Sequence, residues 1–445
     1  MYDLTWYLRR KAVERPSQPR TVEEYLDGWL RGDDDLKRIN RISFIPLTVE
    51  VAAEYQQGDA PPTDNLLQIL DDNPRGFVLV GDPGAGKSLS LRALMREMIA
   101  RYRSNPKDYR FPVWINLGEG TNPIDADGLL QHWWDDRCYL PDTPEQAIRQ
   151  HQFMLLLDGL NEMPLDSREA RAKALCEFAE RNPTLTLVVT CRVRDYEDDE
   201  ALKLPLAVVK VLPLDDERIQ QFIERNGGDG KLWAAIQADG ALRTLAANPY
   251  NLYQLIQVYR DPKRKGETEP LPRDLNQLYR RYLNVTYDRY KRERGHQRDP
   301  LTPLVKLPLA TLEKRLGRLG FAMLAEGKGT SAEVKWALDW RRRWRWGGQA
   351  IRDGLNLGVL LGDGENLRFY HQSLHGYFAI EPLSQALTIS GGFDRFTKYP
   401  QALIQQIGDL GAAGAPAVEE LATGHQTKVR WMNGREGVMK GETAF

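Results

Sequence analysis

The chain has 445 residues, of which 42% are hydrophobic and 28% are charged, and its formal net charge is −1. This length exceeds what one hydrophobic core usually serves and predicts about two to four domains, while the near-zero net charge argues against a globally basic nucleic-acid-binding protein. The three cysteines, Cys138, Cys176 and Cys191, lie far apart in the sequence, which argues against a disulfide framework or a cysteine zinc site.

The sequence shows no signal for secretion or membrane insertion. The N-terminus lacks a basic region followed by an apolar run, and no stretch of about 18 consecutive apolar residues occurs. We therefore expect a cytoplasmic protein with no membrane partner.

The first half of the chain alternates apolar runs with helical patterns. Residues 1–40 predict a short helical extension, and a β-rich segment follows at 42–49. Buried strands are predicted from apolar runs at residues 76–80, 111–117, 153–157 and 185–190. Because nearly all-apolar strands that alternate with helices form parallel sheets, this half predicts an α/β domain whose parallel sheet is covered by helices on both faces.

Residues 81–88, Gly-Asp-Pro-Gly-Ala-Gly-Lys-Ser, directly follow the first of these strands, and a helical pattern begins at Leu89. The pattern is that of a phosphate-binding loop, in which glycines let successive backbone N–H groups form an anion cradle at a helix N-terminus. Lys87 would reach the β- and γ-phosphates, and the Ser88 hydroxyl would ligate Mg²⁺. The nucleotide contacts are expected at Gly81, Asp82, Pro83, Gly84, Ala85, Gly86, Lys87, Ser88 and Leu89. The sequence thus predicts a P-loop NTPase that binds ATP or ADP with Mg²⁺.

A later strand ends in acidic residues. Asp158 follows the run at 153–157, and Glu162 lies four residues further on. A carboxylate at the C-terminal end of a buried parallel strand lies where nucleotides bind, so Asp158 is expected to hold the metal through its water shell. Glu162 is expected to polarise the attacking water. An acidic strand end alone would equally fit a turn, and the phosphate loop upstream favours the metal-binding role.

The run at 185–190 is followed by Arg192. An arginine at this strand end could form a bidentate contact with the γ-phosphate and so sense whether this phosphate is present. The alternative is an ion pair with a neighbouring acid, Asp195 or Glu197. The sequence favours the sensing role and leaves both open.

Together these residues resemble the NACHT family of signal-transduction ATPases, which includes animal inflammasome receptors and many bacterial antiviral sensors. The resemblance rests on the phosphate loop, on Leu-Leu-Leu-Asp-Gly-Leu-Asn-Glu-Met at 155–163 and on Val-Val-Thr-Cys-Arg at 188–192. It continues at residues 211–214, 247–252 and 369–379 and covers the chain from about Ile42 to Leu383.

The resemblance implies a domain order and further site residues. The implied domains are an N-terminal extension at 1–40, a nucleotide-binding domain at 41–210, a helical domain at 211–299, a winged-helix domain at 300–392 and a C-terminal helical region at 393–445. Helical patterns at 402–411 and 417–421 resemble one unit of a HEAT-like array. The resemblance also implies that Pro249 packs near the adenine, that Arg192 is the sensor arginine and that His371 of the winged-helix domain contacts the ADP phosphates.

The chain departs from the family pattern at two positions. Asn161 stands where the family often has an acid, so the role of base falls on Glu162. Gly376 stands where the winged-helix motif often carries Glu. His371 could instead be a surface histidine, although its apolar flanks favour the functional role.

Three functions fit these residues. The first is a ligand-controlled switch in innate immunity or antiphage defence: ADP holds the domains closed, an unidentified protein or nucleic-acid ligand opens them, and ATP supports homo-oligomerisation, with slow hydrolysis as the reset. The second is an AAA+-type motor or remodelling ATPase, and the third is a nucleotide-stabilised scaffold without turnover. The segments around Pro249 and His371 favour the switch.

Overall fold

The computed structural model describes residues 21–40, 43, 45–55, 61–107, 109–118, 125–137, 144–149, 153–164, 167–261, 270–296, 305–328, 331–337, 347–362, 366–388, 427–430 and 436–439. These residues fall into two compact units. The first unit contains the described residues of Glu14–Trp233 together with Ala246–Tyr253. The second contains Ala234–Leu245 and the described residues from Gln254 onward.

The first unit alternates strands and helices. Its elements in chain order are α1 (Val22–Asn40), β1 (Val49–Val51), α2 (Leu66–Asp72), β2 (Gly76–Gly81), α3 (Lys87–Ser104), β3 (Phe111–Asn116), α4 (Ala126–Arg137), α5 (Pro144–Arg149), β4 (Phe153–Asp158), α6 (Arg168–Arg181), β5 (Thr186–Arg192), α7 (Val193–Asp198), β6 (Ala207–Val211) and α8 (Asp216–Arg225). Three further helices each have residues in both units: α9 (Gly230–Ala238), α10 (Gly240–Ala246) and α11 (Pro249–Tyr259).

Six strands of the first unit form one sheet in the order β1-β6-β2-β5-β4-β3. The five strands from β6 to β3 are parallel to one another. Strand β1 pairs antiparallel with β6, so the sheet is mixed and the expectation of an entirely parallel sheet is wrong at this edge. An edge position tolerates such a strand, because it needs to pair on one side only. Strand β6 was not predicted, since Lys210 interrupts its apolar run.

Strand β2, which leads into the phosphate loop, lies in the interior of the sheet, and all its residues are buried. Successive residues of a strand point to opposite faces, so uninterrupted burial means that both faces of β2 are covered. The predicted α/β class is confirmed for this unit. The same burial fixes the position of Gly81, from which the loop starts.

Helix α1 packs on the edge of the sheet at β3. Tyr25 and Leu26 are 8% and 0% exposed. The Tyr25 hydroxyl accepts a hydrogen bond from the backbone N–H of Trp114 in β3 at 3.3 Å, and the Tyr25 ring lies 5.3 Å from the ring of Phe111, centroid to centroid. An edge strand has backbone N–H groups that are not bonded within the sheet. The Tyr25 hydroxyl accepts from one of them, that of Trp114. Helix α1 therefore belongs to the first unit as a packed element.

Burial of Leu26, rather than the ion pairs of α1, should hold this helix in place. Arg103 in α3 lies 2.8 Å from Glu23 and 2.6 Å from Asp27, but these side chains are largely exposed, and exposed pairs contribute roughly 0.2–1 kcal/mol. A Leu→Ala change at a fully buried site costs about 2–5 kcal/mol. In urea denaturation we expect Leu26→Ala to lower the free energy of unfolding severalfold more than Arg103→Ala. Equal effects would mean that α1 is held mainly by charge.

The second unit contains helices and a small antiparallel sheet. Its elements are α12 (Leu275–His296), α13 (Leu309–Ala325), β7 (Ser331–Glu333), α14 (Gly347–Leu357), β8 (Leu360–Gly362), β9 (Asn366–Phe369) and α15 (Gln372–Thr388). The strands pair antiparallel in the order β7-β9-β8. Helices α13 and α15 pack closely, and a ring nitrogen of buried His375 lies 2.8 Å from the carbonyl oxygen of Gly320. Among the described residues, no helix is long and apolar enough to span a bilayer.

The helical expectation for residues 393–445 fails where the structure describes them. Strands β10 (Thr427–Arg430) and β11 (Glu436–Met439) form an antiparallel pair. The helices predicted at 402–411 and 417–421 lie outside the described residues.

Candidate nucleotide-binding site

The phosphate loop connects β2 to α3, as its sequence predicts. Gly84 and Gly86 have φ angles of +81° and +93°, in the left-handed region that favours glycine. Left-handed residues that alternate with right-handed ones turn successive N–H groups to one side, which makes an anion-binding concavity. Leu89 lies in the first turn of α3 and is exposed. The loop thus has a backbone suited to phosphate.

Lys87 lies at the centre of a cluster of charged groups. Its ammonium donates hydrogen bonds to the carbonyl oxygens of Gly81 at 2.6 Å and Asp82 at 2.9 Å. Burial of the ammonium lowers the pKa of Lys87 to about 8, with a further decrease from the Arg192 guanidinium, although the residue as a whole is partly exposed. The Glu162 and Asp158 carboxylates oppose this decrease in the pKa of Lys87.

Asp158, at the end of β4, accepts two hydroxyl hydrogen bonds. Its Oδ1 accepts from the Ser88 Oγ at 2.8 Å and from the Thr190 Oγ1 at 2.7 Å. The Thr190 hydroxyl oxygen also accepts from the backbone N–H of Gly159 at 2.8 Å. Thr190 therefore fixes the carboxylate that faces the phosphate loop. Thr190 was not predicted to have this role, although a threonine within an apolar strand is a visible signal.

The pair of Ser88 and Asp158 fits Mg²⁺. Both side chains offer oxygen atoms, and Mg²⁺ in nucleotide sites is commonly held by one or two carboxylates, substrate phosphates and water. When bound, the ion would neutralise phosphate charge. The donor set therefore agrees with the prediction of a magnesium-dependent nucleotide site.

A tight turn after β4 presents Glu162. Gly159 has φ +84°, and residues Leu160–Glu162 form a single 3-10 turn, with the N–H of Glu162 donating to the carbonyl of Gly159 at 2.9 Å. A Cβ atom on Gly159 would lie 3.2–3.3 Å from three carbons of the Glu162 side chain. Gly159 is required both for its backbone angle and for the space that Glu162 occupies.

Asn161, in the same turn, joins two neighbouring strand ends. It is 5% exposed, and its Oδ1 accepts from the backbone N–H of Arg192 at 3.1 Å. Its main-chain carbonyl accepts from the guanidinium of Arg168. An amide cannot act as an acid or a base at the site. Asn161, which stands where the family often has an acid, instead links the turn to Arg192 and Arg168 through hydrogen bonds.

Arg192 shows the ion pair that the sequence left open. Its Nε lies 3.8 Å from Oδ2 of Asp195, and both side chains are nearly buried. In the sheet, Arg192 is also the register partner of Gly81, the first residue of the loop. Arg192 therefore has an acidic partner, Asp195, and its backbone lies beside the first residue of the phosphate loop.

Pro249 and His371, whose predicted roles come from the family resemblance alone, lie in different units. Pro249 starts α11 in the first unit, where the preceding Asn248 contacts the loop at Pro83. His371 precedes α15 in the second unit, and its Nδ1 accepts from the backbone N–H of Ser373 at 3.1 Å. Since Nδ1 accepts this bond, a neutral His371 ring carries its proton on Nε2.

Leu47 is a further loop contact that the sequence did not reveal. A Cβ atom on Gly86 would lie 2.7 Å from the Cδ1 atom of Leu47. Thr48, the next residue, accepts through its carbonyl from the N–H of Leu212 at 2.9 Å, which fixes this segment beside the sheet. No local pattern could have shown this contact, because it depends on how β1 and β6 pair.

The glycine-rich loop between a buried strand and a helix, with a carboxylate from another parallel strand of the same sheet facing its serine, defines a nucleotide-binding protein of the P-loop NTPase class. Residues 75–229 match the family model of the NACHT domain. The chain therefore contains a NACHT domain. No curated protein sequence matches it.

Solved structures show remote similarity. The Aeropyrum pernix ORC1 protein in complex with DNA is 14% identical, with 79% of this chain and 92% of that chain covered and a TM-score of 0.34. A Walker-type ATPase of Pyrococcus abyssi is 12% identical, with 70% and 93% covered and a TM-score of 0.32. Drosophila ORC bound to DNA is 13% identical, with 84% and 91% covered and a TM-score of 0.32.

Proposed function

We propose that this chain is an ATP- and ADP-controlled switch that hydrolyses ATP slowly. The observation that carries the proposal is the convergence of Lys87, Ser88 and Asp158 at one loop within a NACHT domain. Innate immunity or antiphage defence is the setting that the family implies.

The phosphates bind in the loop from Gly81 to Leu89. Lys87 redirects its ammonium from the loop carbonyls to the β- and γ-phosphates, while Ser88 ligates Mg²⁺ and Asp158 holds it through water. Glu162 takes the proton of the attacking water. The half-buried position of Glu162 in a fixed turn, close to the Lys87 charge, supports this assignment.

Switching requires that ATP and ADP favour different conformations, because a ligand that binds two conformations equally shifts nothing. Arg192 supplies one difference by exchanging its Asp195 partner for the γ-phosphate. His371 supplies the other by donating from Nε2 to an ADP phosphate in the closed form. A protein or nucleic-acid ligand opens the molecule, and the ATP form assembles into homo-oligomers.

The domain order of the family extends this proposal beyond the NACHT domain. We assign residues 211–299 to a helical domain and 300–392 to a winged-helix domain. Supporting the second assignment, the described part of 300–392 has helices α13, α14 and α15 with the antiparallel sheet β7-β9-β8, which is the composition of a winged helix. Pro249, at the start of α11, packs near the adenine.

The central test is the nucleotide itself. The full-length protein should carry ADP or ATP through purification, identified by chromatography after denaturation, and should hydrolyse added ATP slowly with Mg²⁺. Fast turnover stimulated by DNA or an unfolded protein would favour a motor instead, and retained nucleotide without any turnover would favour a scaffold.

Replacing His371 should release ADP and open the molecule. A hydrogen bond to a charged group contributes about 1.5–3 kcal/mol, so the closed-to-open ratio should fall roughly tenfold to a hundredfold. His371→Ala also removes the acceptor for Ser373 at the start of α15, whereas His371→Ser can keep such a cap. We expect both variants to show faster ADP release and, by light scattering, oligomers without an added ligand. If only the alanine variant does so, His371 is a helix cap and not a nucleotide contact.

A further inference from the structure

Asn248 connects the phosphate loop to helix α11 with both ends of its side-chain amide. Its Nδ2 donates to the carbonyl oxygen of Pro83 at 2.9 Å. Its Oδ1 accepts from the backbone N–H groups of Tyr250 at 3.1 Å and Asn251 at 3.3 Å. Its own carbonyl accepts from the N–H of Leu252 at 2.9 Å, the first bond of the helix. Asn248 is therefore the N-cap of α11 and a loop contact at once.

The start of α11 also fits closely against the next residue of the loop. The backbone N–H of Tyr250 lies 3.3 Å from the carbonyl oxygen of Gly84. A Cβ atom on Gly84 would lie 2.8 Å from Oδ1 of Asn248 and 2.9 Å from Cβ of Tyr250. The left-handed bend at Gly84 is therefore formed directly against the first turn of α11.

These contacts act on the residues that shape the anion cradle. Pro83 and Gly84 precede the N–H groups that would face phosphate, so their backbone angles set where those groups point. A loop that is already ordered loses less conformational entropy when a ligand binds, which raises affinity. The same bonds must then be stabilised by the ligand, because coupling between two sites is reciprocal.

We propose that Asn248 is a positioning residue that couples nucleotide binding in the loop to the stability of the first turn of α11. The inference rests on the proposed function, since it requires nucleotide at residues 81–88. Bound nucleotide makes the N-terminal turn of α11 harder to open, and an intact bond from Asn248 to Pro83 makes nucleotide bind more tightly. Helix α11 is thus an element through which the loop can report its occupancy.

Asn248→Asp separates the two bonds of this side chain. An aspartate keeps the oxygen that caps Tyr250 and Asn251, but it loses the donor to Pro83 and places a negative oxygen near that carbonyl. Asn248→Ser provides a matched variant without the added charge, because a serine can cap the helix but is too short to bridge to Pro83. We expect the Kd for ADP to rise roughly threefold to tenfold in the serine variant and further in the aspartate variant.

Hydrogen exchange at the amides of Tyr250 and Asn251 provides the readout that a simple helix cap would not change. In the wild-type full-length protein, saturating ADP should slow exchange at these amides. In both variants, measured at their own saturating ADP concentration, the slowing should be smaller than in the wild type, most clearly at Asn251, because the N–H of Tyr250 keeps its contact with the carbonyl of Gly84. Exchange without ADP should stay similar.

Wild-type Kd values together with wild-type slowing in both variants would overturn the coupling and leave Asn248 as a cap alone. If instead the wild-type protein binds no ADP at all, the proposed function fails first. The two failures are therefore distinguishable in one experiment.

Discussion

Lys87→Ala should abolish the retention of nucleotide through purification. The ammonium lies at the start of α3, where it donates to two loop carbonyls and can turn to the β- and γ-phosphates. Two such charge-assisted hydrogen bonds contribute roughly 3–6 kcal/mol to ATP binding, whereas ADP keeps only the bond to the β-phosphate, so affinity should fall by about 10² to 10⁴ for ATP and by about 10 to 10² for ADP. Chromatography of the denatured protein and titration with labelled ADP measure the two quantities.

The fold should survive this substitution. Burial lowers the pKa of Lys87, which shows that the charged ammonium is held in the folded protein at a cost in free energy. Lys173→Ala, at an exposed position in α6, is the matched control and should bind ADP like the wild type. Retention of nucleotide by Lys87→Ala at the level of the control would disprove the phosphate-binding assignment.

Local sequence patterns predicted the centre of the site because parallel strands bring their carboxyl ends to one edge of a sheet. Asp158 ends β4 and Arg192 ends β5, and these strands are neighbours. The phosphate loop follows β2, and β2 is the other neighbour of β5 in the sheet. Three separate signals in the sequence therefore had to converge once each was placed at the end of a buried parallel strand.

The residues that hold this centre together could not be predicted in the same way. Asn248 and Pro83 are 165 positions apart, and their bond depends on the path of the chain after β6. Strand β1 pairs antiparallel with β6. The residues of one strand do not indicate which other strand it pairs with or in which direction. The packing of α1 on β3 depends on Tyr25 reaching Trp114, a contact with no signature in either segment.

The surroundings of Glu162 and Asn161 fit the prediction from the sequence that Glu162 is the base. Both lie in the turn after Asp158, at the two positions where the family often has acids. Asn161 is buried and its amide oxygen is bonded to the N–H of Arg192, whereas Glu162 is half-buried and close enough to Lys87 to affect its pKa. A carboxylate can accept a proton from water, and an amide cannot.

Glu162→Gln should therefore leave ADP and ATP binding nearly unchanged and lower the rate of ATP hydrolysis by on the order of 10² or more, as expected for the loss of a general base. Glutamine keeps the size of the side chain beside Gly159, so the turn should persist. Glu169→Gln, at an exposed site in the first turn of α6, makes the same chemical change outside the cluster and should hydrolyse ATP at the wild-type rate.

The two rates are compared in single-turnover experiments at saturating ATP and Mg²⁺, so that nucleotide release does not mask the chemical step. Equal rates in both variants would place the base elsewhere. A fall in affinity together with the rate would instead show that Glu162 supports nucleotide binding.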